Sequence, residues 1–435
     1  MKRINGYENA KAALTRKPIF DLSTQEDVGD KTSPETSVRA ILADVCANGD
    51  EAVRRYTKQF DGVDLESFEV TRDEIAAAFK QVDAKLISAL ELAANRIREF
   101  HIACKKTIGS SFIHQGVGRQ VLPLQRVGIY VPGGTAAYPS TVLMTAIPAR
   151  VAAVEEVIIA SPAQKDGTIP AITLVAASIA NVNHIYKIGG AQAIAAMACG
   201  TETISKVDKI CGPGNIYVAI AKKLVYGMVD IDSIAGPSEV IVVADETASP
   251  AFCAADLIAQ SEHDSMSSAI LITTSEKIAA AVESEIEKQI EKLKRSDIIN
   301  KALDSNGVIV LVSNMDEAID LVNLYAPEHL LLIVRNPSSY LQKIRGAGCM
   351  FLGAESPVAV GDYLAGPSHV LPTGGSARFA SPLGVEDFMK VISVVAFDEP
   401  RLRELGNTVI DLAVAEGLTA HAQTIKLRMR NHKKR

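Results

Sequence analysis

The sequence predicts an α/β protein with two parallel-sheet domains, a helical N-terminal region and a helical C-terminal tail. Three observations predict it. First, the short β-rich runs "VGIYVP", "EVIIAS", "HIYKIGG" and "VDKICGPG" alternate with helical stretches such as "STVLMTAIPARVAAV" and "IPAITLVAASIANV". This is the βαβ grammar of a sheet covered on both faces, here Rossmann-like. Second, the alternation restarts after "AGPSE" with "VIVVA", "AILITT", "GVIVLV", "LLLIV" and "CMFLG". Third, apolar residues recur at helical spacing on either side of these blocks, from about Val38 to Cys104 and again beyond Gly374.

In chain order, "VRAILADVCANGDEAVRRYTKQF" and "ISALELAANRIREFHIAC" read as amphipathic helices. The composition changes at "VGIYVPGG", where the first sheet begins. In the second block a long charged helix, "SEKIAAAVESEIEKQIEKLKR", separates the second strand from the third. The division expected is an N-terminal segment at 1–27, one α/β domain at 28–128 and 236–378, a second at 129–235, and a tail at 379–435. The tail is too small to fold alone, so it packs on another subunit or across the main body. An oligomer is expected.

Bulk properties narrow the function. With 435 residues there is length for large cores, and 48% hydrophobic residues mark a globular chain. A net charge of −6 excludes broad binding to nucleic acid. The basic end "IKLRMRNHKKR" reads as a solvated helix terminus. No apolar leader opens the sequence and no apolar run reaches membrane-spanning length, so a cytoplasmic protein is expected. Cys46, Cys104, Cys199, Cys211, Cys253 and Cys349 are scattered with no CxxC pair, which suits a reducing compartment and argues against a thiolate cluster.

Ligands of open parallel sheets bind beyond the carboxyl ends of strands. Three loops there lead into helices: "VPGGTAAYPS", "KIGGAQAI" and "CGPGNIY". Each can cradle a phosphate on backbone amides or simply make a tight turn. None matches GxGxxG, so the usual dinucleotide fingerprint is absent.

The histidines discriminate further. His101, His114, His184 and His432 have ordinary surroundings and receive no role. His263 lies in "SPAFCAADLIAQSEHD", where Ser249 can N-cap a helix with Pro250 at its first position. Gln260 and His263 then share one face, as a metal pair or as surface polar residues. Asp362 in "VAVGDYLAGPSHVLPTGG" can bind a divalent cation or form an Asx turn, with His369 nearby. In "EGLTAHAQT", with Thr419 as N-cap, Glu416 and His421 can converge on a ligand or mark an ordinary helix start. In "YAPEHLLLIV", Glu328 and His329 stand before a buried strand, as a turn or as an acid–base pair.

Taken in order, "YVPGGTAAYPSTVLM", "GGAQAIAA", "GPGN", "AGPSEV", "AQSEHD", "YAPEHL", "GDYLAG" with "HVLPTGG", and "EGLTAHA" resemble the histidinol dehydrogenase family from the N-terminal helices to the last helix. The resemblance implies oxidation of L-histidinol to L-histidine with two NAD+ reduced and one zinc per site. It implies zinc ligands Gln260, His263, Asp362 and His421, and catalytic Glu328 and His329. Substrate contacts would be Ser238, Gln260, His263, His329, Asp362, Glu416 and His421. Dinucleotide contacts would be Tyr130, Gln192 and Asn215. It also implies an intertwined homodimer in which the C-terminal histidine reaches the partner's site. The family loop commonly reads "NHVLPT", where this chain has Ser368, which bears only on local hydrogen bonding.

On this reading zinc acts mainly as a template for two substrate nitrogens. His329 takes the hydroxyl proton and Glu328 activates the water that adds to the aldehyde. Cys211, the one cysteine beside a ligand loop, is expected to be an inert strand-end thiol. The alternatives are a related zinc- and NAD-linked polyol or hydroxy-sulfonate dehydrogenase, and a zinc hydrolase, for which no HExxH signature is present.

Overall fold

The computed structural model describes residues 1–16, 33–133 and 137–431. The expected 27/28 boundary, Gly134 to Ala136 of the first glycine-rich loop, and His432 lie outside the described residues. The chain forms two compact units, one of Met1–Lys105 with Leu124–Phe388, the other of Lys106–Pro123 with Met389–Arg435.

The larger unit holds both predicted parallel sheets. One has six strands, ordered Lys2–Asn5, Gly307–Leu311, Ser268–Thr273, Glu239–Ala244, His329–Ile333 and Cys349–Leu352. The other has five, ordered His184–Tyr186, Glu156–Ala160, Arg126–Tyr130, Lys209–Cys211 and Asp230–Ile231. Central strands such as EVIVVA and HLLLI are buried at every position, as a parallel sheet with both faces covered requires. The Lys2–Asn5 strand lies in the N-terminal segment 1–27, where the sequence signals no element. Only Ile4 of its four residues is buried, so local pattern is too weak, and pairing with Gly307–Leu311 makes it a strand. The charged helix covers Glu276–Ile290 and stops short of "EKLKR".

The helical N-terminal region holds Pro34–Phe60, Arg72–Gln81 and Ala84–Thr107, the first and third carrying the two stretches read as helices. Ser33 caps the first, and Thr71 with Glu74 forms a capping box on the second. Gly49, at φ 51° and ψ −132°, kinks the first helix. Its apolar face (Val38, Val45, Val53) joins a core with Ile158, Ile194 and Ile210 of the five-stranded sheet and its helices. A disulfide joins Cys46 of this helix to Cys199, 153 residues on, with Cα atoms 5.5 Å apart. The pairing departs from the reading of scattered thiols suited to a reducing compartment, because the fold brings together two cysteines that sequence spacing does not connect.

In the smaller unit, Met389–Val395 pairs antiparallel with Val117–Pro123, which pairs with Phe112–His114. The tail read as helical thus contains a strand. Its helices are Glu399–Ala415 and Thr419–Asn431. Thr419 is the first helical residue and not the N-cap.

His101 is 1% exposed with no hydrogen-bond partner on either ring nitrogen, and burial pushes its pKa down to about 4. The unfolded chain, near 6.5, binds that proton first. The contribution of a neutral His101 is therefore present above about pH 6.5 and lost as pH falls towards 4. Asp61 and Asp256, raised to about 6 by burial, tilt stability the opposite way. His101→Met should therefore remove on the order of 3 kcal/mol of acid-side loss relative to the parent, read as the difference between their unfolding curves at pH 4 and 6.5.

Candidate active site

The helix Met315–Tyr325 ends on Ala326 in the left-handed conformation (φ 51°, ψ 70°), and Pro327 follows to prevent its continuation. The strand begins at His329. That stop-and-start delivers Glu328 and His329, 7% and 5% exposed, to the amino edge of the six-stranded sheet. Chemistry was expected beyond the carboxyl ends of strands; this pair lies at the opposite edge, beside the first residues of the Glu239 and Cys349 strands.

Both side chains are held by one residue. The Glu239 N–H donates to Glu328 Oε2 (2.9 Å), and His329 Nδ1 donates to the Glu239 carbonyl (3.2 Å). Glu328 Oε2 lies 3.5 Å from His329 Nδ1, and His329 Nε2 lies 3.8 Å from Asp362 Oδ1. Burial opposes the imidazolium, but the Glu328 and Asp362 charges outweigh it and raise the His329 pKa. Donation from Nδ1 to a carbonyl leaves Nε2 as the free base in the neutral ring.

His329, Phe351, Asp362, His369 and Leu371 line a cavity of about 300 Å³, at the small end of small-molecule sites. His369 Nδ1 donates to the Asp362 carbonyl (3.0 Å), and its Nε2 accepts from Thr141 Oγ1 (3.3 Å). Thr141 belongs to the helix Pro139–Ala152 that opens after the Tyr130 loop. Ser368 Oγ donates to the Met144 carbonyl of that helix and accepts from Val370 N–H, both at 3.2 Å. The residue in place of asparagine is thus fully engaged, and it ties the helix after one sheet to the cavity beside the other.

Gln260 ends the last turn of Pro250–Ser261; it is 2% exposed and its Oε1 has no partner. His263 follows the helix and is exposed, and Asp362 is half-buried. Ser249 precedes Pro250 as expected, but its side chain makes no capping bond. Ser238 directly precedes the Glu239 strand and its carbonyl accepts from Ser268 N–H (2.9 Å). Glu416 and His421 are exposed in the smaller unit. Among the described residues, no three His, Cys, Asp or Glu side chains gather as a metal cluster. Gln260 nevertheless offers a buried, unpartnered amide oxygen, a donor that a cation such as zinc can take.

The three glycine-rich loops do meet at the carboxyl edge of the five-stranded sheet. Tyr130 Oη accepts from Gly190 N–H (3.1 Å) and is 4% exposed, and burial pushes its phenol up to about 12. Gln192 is 1% exposed with neither amide atom partnered. Asn215 caps the helix Ile216–Val225, its Oδ1 accepting from Tyr217 and Val218 N–H, both at 3.1 Å. Gly212 has φ +107°, and a Cβ there would sit 2.1 Å from the Tyr130 carbonyl oxygen. Only glycine allows the loops so close. Cys211 beside it is fully buried and its thiol is pushed well up by burial, the state of an inert cysteine.

Sequence reading missed Glu239 and Asp61, and named His369 only as a neighbour of Asp362. Asp61 closes the helix Pro34–Phe60, has a buried, unpartnered Oδ2, and acts electrostatically on Tyr130. Adjacency to Ser238 was the one available signal for Glu239, since the groups that hold Glu328 and His329 are its backbone N–H and carbonyl.

Fold and site together define a class: a two-sheet α/β enzyme with a buried carboxylate–imidazole pair at a small cavity and glycine-rich loops on its second sheet. The histidinol dehydrogenase family profile matches residues 24–429. Histidinol dehydrogenase of Clostridium acetobutylicum is 52% identical over 399 residues, covering 91% of this chain and 92% of that protein. That of Bacillus subtilis is 47% identical over 435 residues, covering 99% of each. The crystal structure of the Elizabethkingia anophelis histidinol dehydrogenase superposes with a TM-score of 0.91 at 37% identity, covering 100% of this chain and 99% of that one. The chain belongs to the histidinol dehydrogenase family.

Proposed function

We propose that this protein oxidises L-histidinol through L-histidinaldehyde to L-histidine, the final step of histidine biosynthesis, as an NAD-dependent oxidoreductase. The observation that carries the reading is the Glu328–His329 pair, fixed on Glu239 beside a cavity that Asp362 also lines. The polyol or hydroxy-sulfonate alternative is not favoured, since relatives at 52% and 47% identity over nearly the whole chain carry the histidinol name.

When bound, NAD+ supplies the hydride acceptor, and zinc a Lewis-acidic template for the substrate's imidazole and amine. Gln260, His263, Asp362 and His421 would hold the metal, with Ser238 and Glu416 on the substrate. Tyr130, Gln192 and Asn215 would hold the dinucleotide. His329 accepts the hydroxyl proton at Nε2 in each oxidation. Glu328 takes a proton from water at Oε1, the oxygen that Glu239 does not hold, as that water adds to the aldehyde carbon.

The proposed division keeps residues 28–128 with 236–378 as the catalytic domain, 129–235 as the dinucleotide domain and 379–435 as a tail exchanged in a homodimer. The smaller unit supports exchange, because Ile113, Val391, Val395 and Leu412 are exposed apolar side chains on it. Among the described residues no helix is long and apolar enough to cross a membrane; a cytoplasmic enzyme follows from its biosynthetic role.

The test is metal analysis of purified protein followed by NAD+ reduction with L-histidinol and with L-histidinaldehyde. Absence of NADH with both substrates would refute the reading. Tyr130→Phe, which strands the Gly190 N–H, should raise KM for NAD+ by about tenfold and leave KM for histidinol unchanged in steady-state kinetics.

A further inference from the structure

We propose that Arg16 and Glu239 form a positioning pair that holds Glu328 and His329 in register through the Glu239 backbone. The inference rests on the acid–base roles assigned above to those two residues. Arg16 grips the Glu239 carboxylate with both arms of its guanidinium, Nη1 to Oε1 at 2.6 Å and Nη2 to Oε2 at 2.7 Å. Its Nε donates to the Tyr325 carbonyl (2.9 Å), and its guanidinium lies 3.8 Å from the Tyr325 ring centroid. One cation thus touches the residue whose backbone binds the catalytic pair and the first residue of the "YAPEH" turn that delivers it.

Two glycines of "HVLPTGG" serve the same pair. The Gly374 backbone N–H acts on the Glu239 carboxylate and favours its charged form. Gly375 has φ +81°, and a Cβ there would meet Arg16 Cδ at 2.8 Å. The motif therefore leaves space for the guanidinium to lie flat.

Electrostatics makes the pair necessary. Glu239 is 5% exposed, burial raises its pKa, Arg16 opposes that, and the nearby Glu328 charge raises it again. Without the bidentate partner, a buried carboxylate would stand uncompensated beside the catalytic one. The strand start would shift to relieve it, carrying the N–H and carbonyl that fix Glu328 and His329. A displacement of about 1 Å at such a site is enough to slow chemistry by roughly 100-fold.

The test is a double-variant cycle on the zinc-loaded enzyme, assaying alcohol and aldehyde oxidation separately. Arg16→Met should lower kcat for aldehyde oxidation at least about tenfold while KM for histidinol and NAD+ stays within roughly twofold. Arg16→Lys should retain the charge but lose the fork, giving an intermediate rate. Arg16→Met combined with Glu239→Gln should recover most of the loss, because no buried charge is stranded. Unchanged kcat in Arg16→Met, with only a lower melting temperature, would reduce the pair to a structural clip and overturn the proposal. Failure of the double variant to recover would overturn it as well. If Arg16→Met does not fold, Arg16→Lys and the double variant carry the same decision. Glu328→Gln run in parallel separates the two layers: full aldehyde oxidation there defeats the acid–base reading, whereas a crippled Glu328→Gln beside a wild-type Arg16→Met defeats the positioning pair alone.

Discussion

Glu328→Gln should slow oxidation of L-histidinaldehyde by about 10²- to 10⁴-fold, the range of a lost general base, while alcohol oxidation falls far less. The amide preserves shape and can still accept the Glu239 N–H, so the strand start is retained. What disappears is the oxygen that can take a proton from water. The first oxidation needs no added water; the second does. Single-turnover NADH formation from each substrate reads the two steps apart, and equal loss in both would sink the water-activation role. His329→Asn is the contrast. Its Nε2 is the proposed base in both oxidations, so both steps should slow together.

Replacing a proposed metal ligand should have the other large effect. His263→Ala or His421→Ala should cost at least about 100-fold in zinc affinity, more than the loss of an outer-shell partner. Gln260→Glu should be milder, because a carboxylate still offers oxygen where the buried Oε1 now lies unpartnered. Zinc content after dialysis measures this without reference to activity. His421 adds a second readout. If it serves the partner's site, Glu328→Gln and His421→Ala subunits, each crippled alone in aldehyde oxidation, should regain one working site per mixed dimer, about a quarter of the parental aldehyde oxidation on random assortment. No recovery in isolated mixed dimers would place His421 in its own subunit's site.

Much of the fold was legible because parallel strands buried on both faces are written as unbroken apolar runs. "VIVVA", "LLLIV" and "VGIYV" lie in consecutive residues and need no knowledge of their neighbours. The Met389–Val395 strand lies in the tail that reads as helical, and the Lys2–Asn5 strand in a segment where the sequence signals no element. An edge strand with one buried residue and a strand with an exposed face take their identity from distant partners. The Cys46–Cys199 disulfide is another long-range fact, since 153 residues separate two cysteines that neither spacing nor composition connects.

The site divides along the same line. Residue type and order by themselves determined the family, the acid and imidazole in "YAPEH" and the three glycine-rich loops, and through the family resemblance they supplied the proposed donor set Gln260, His263, Asp362 and His421. Those are side-chain chemistries, and chemistry is carried by the letters. Only the tertiary structure decided which sheet edge carries Glu328 and His329, that one backbone unit at Glu239 holds both, and that Arg16 reaches across 223 residues to neutralise it. Backbone N–H and carbonyl groups are common to nearly every residue, so a sequence cannot single out the one that does the holding; the packing of strands beside one another does.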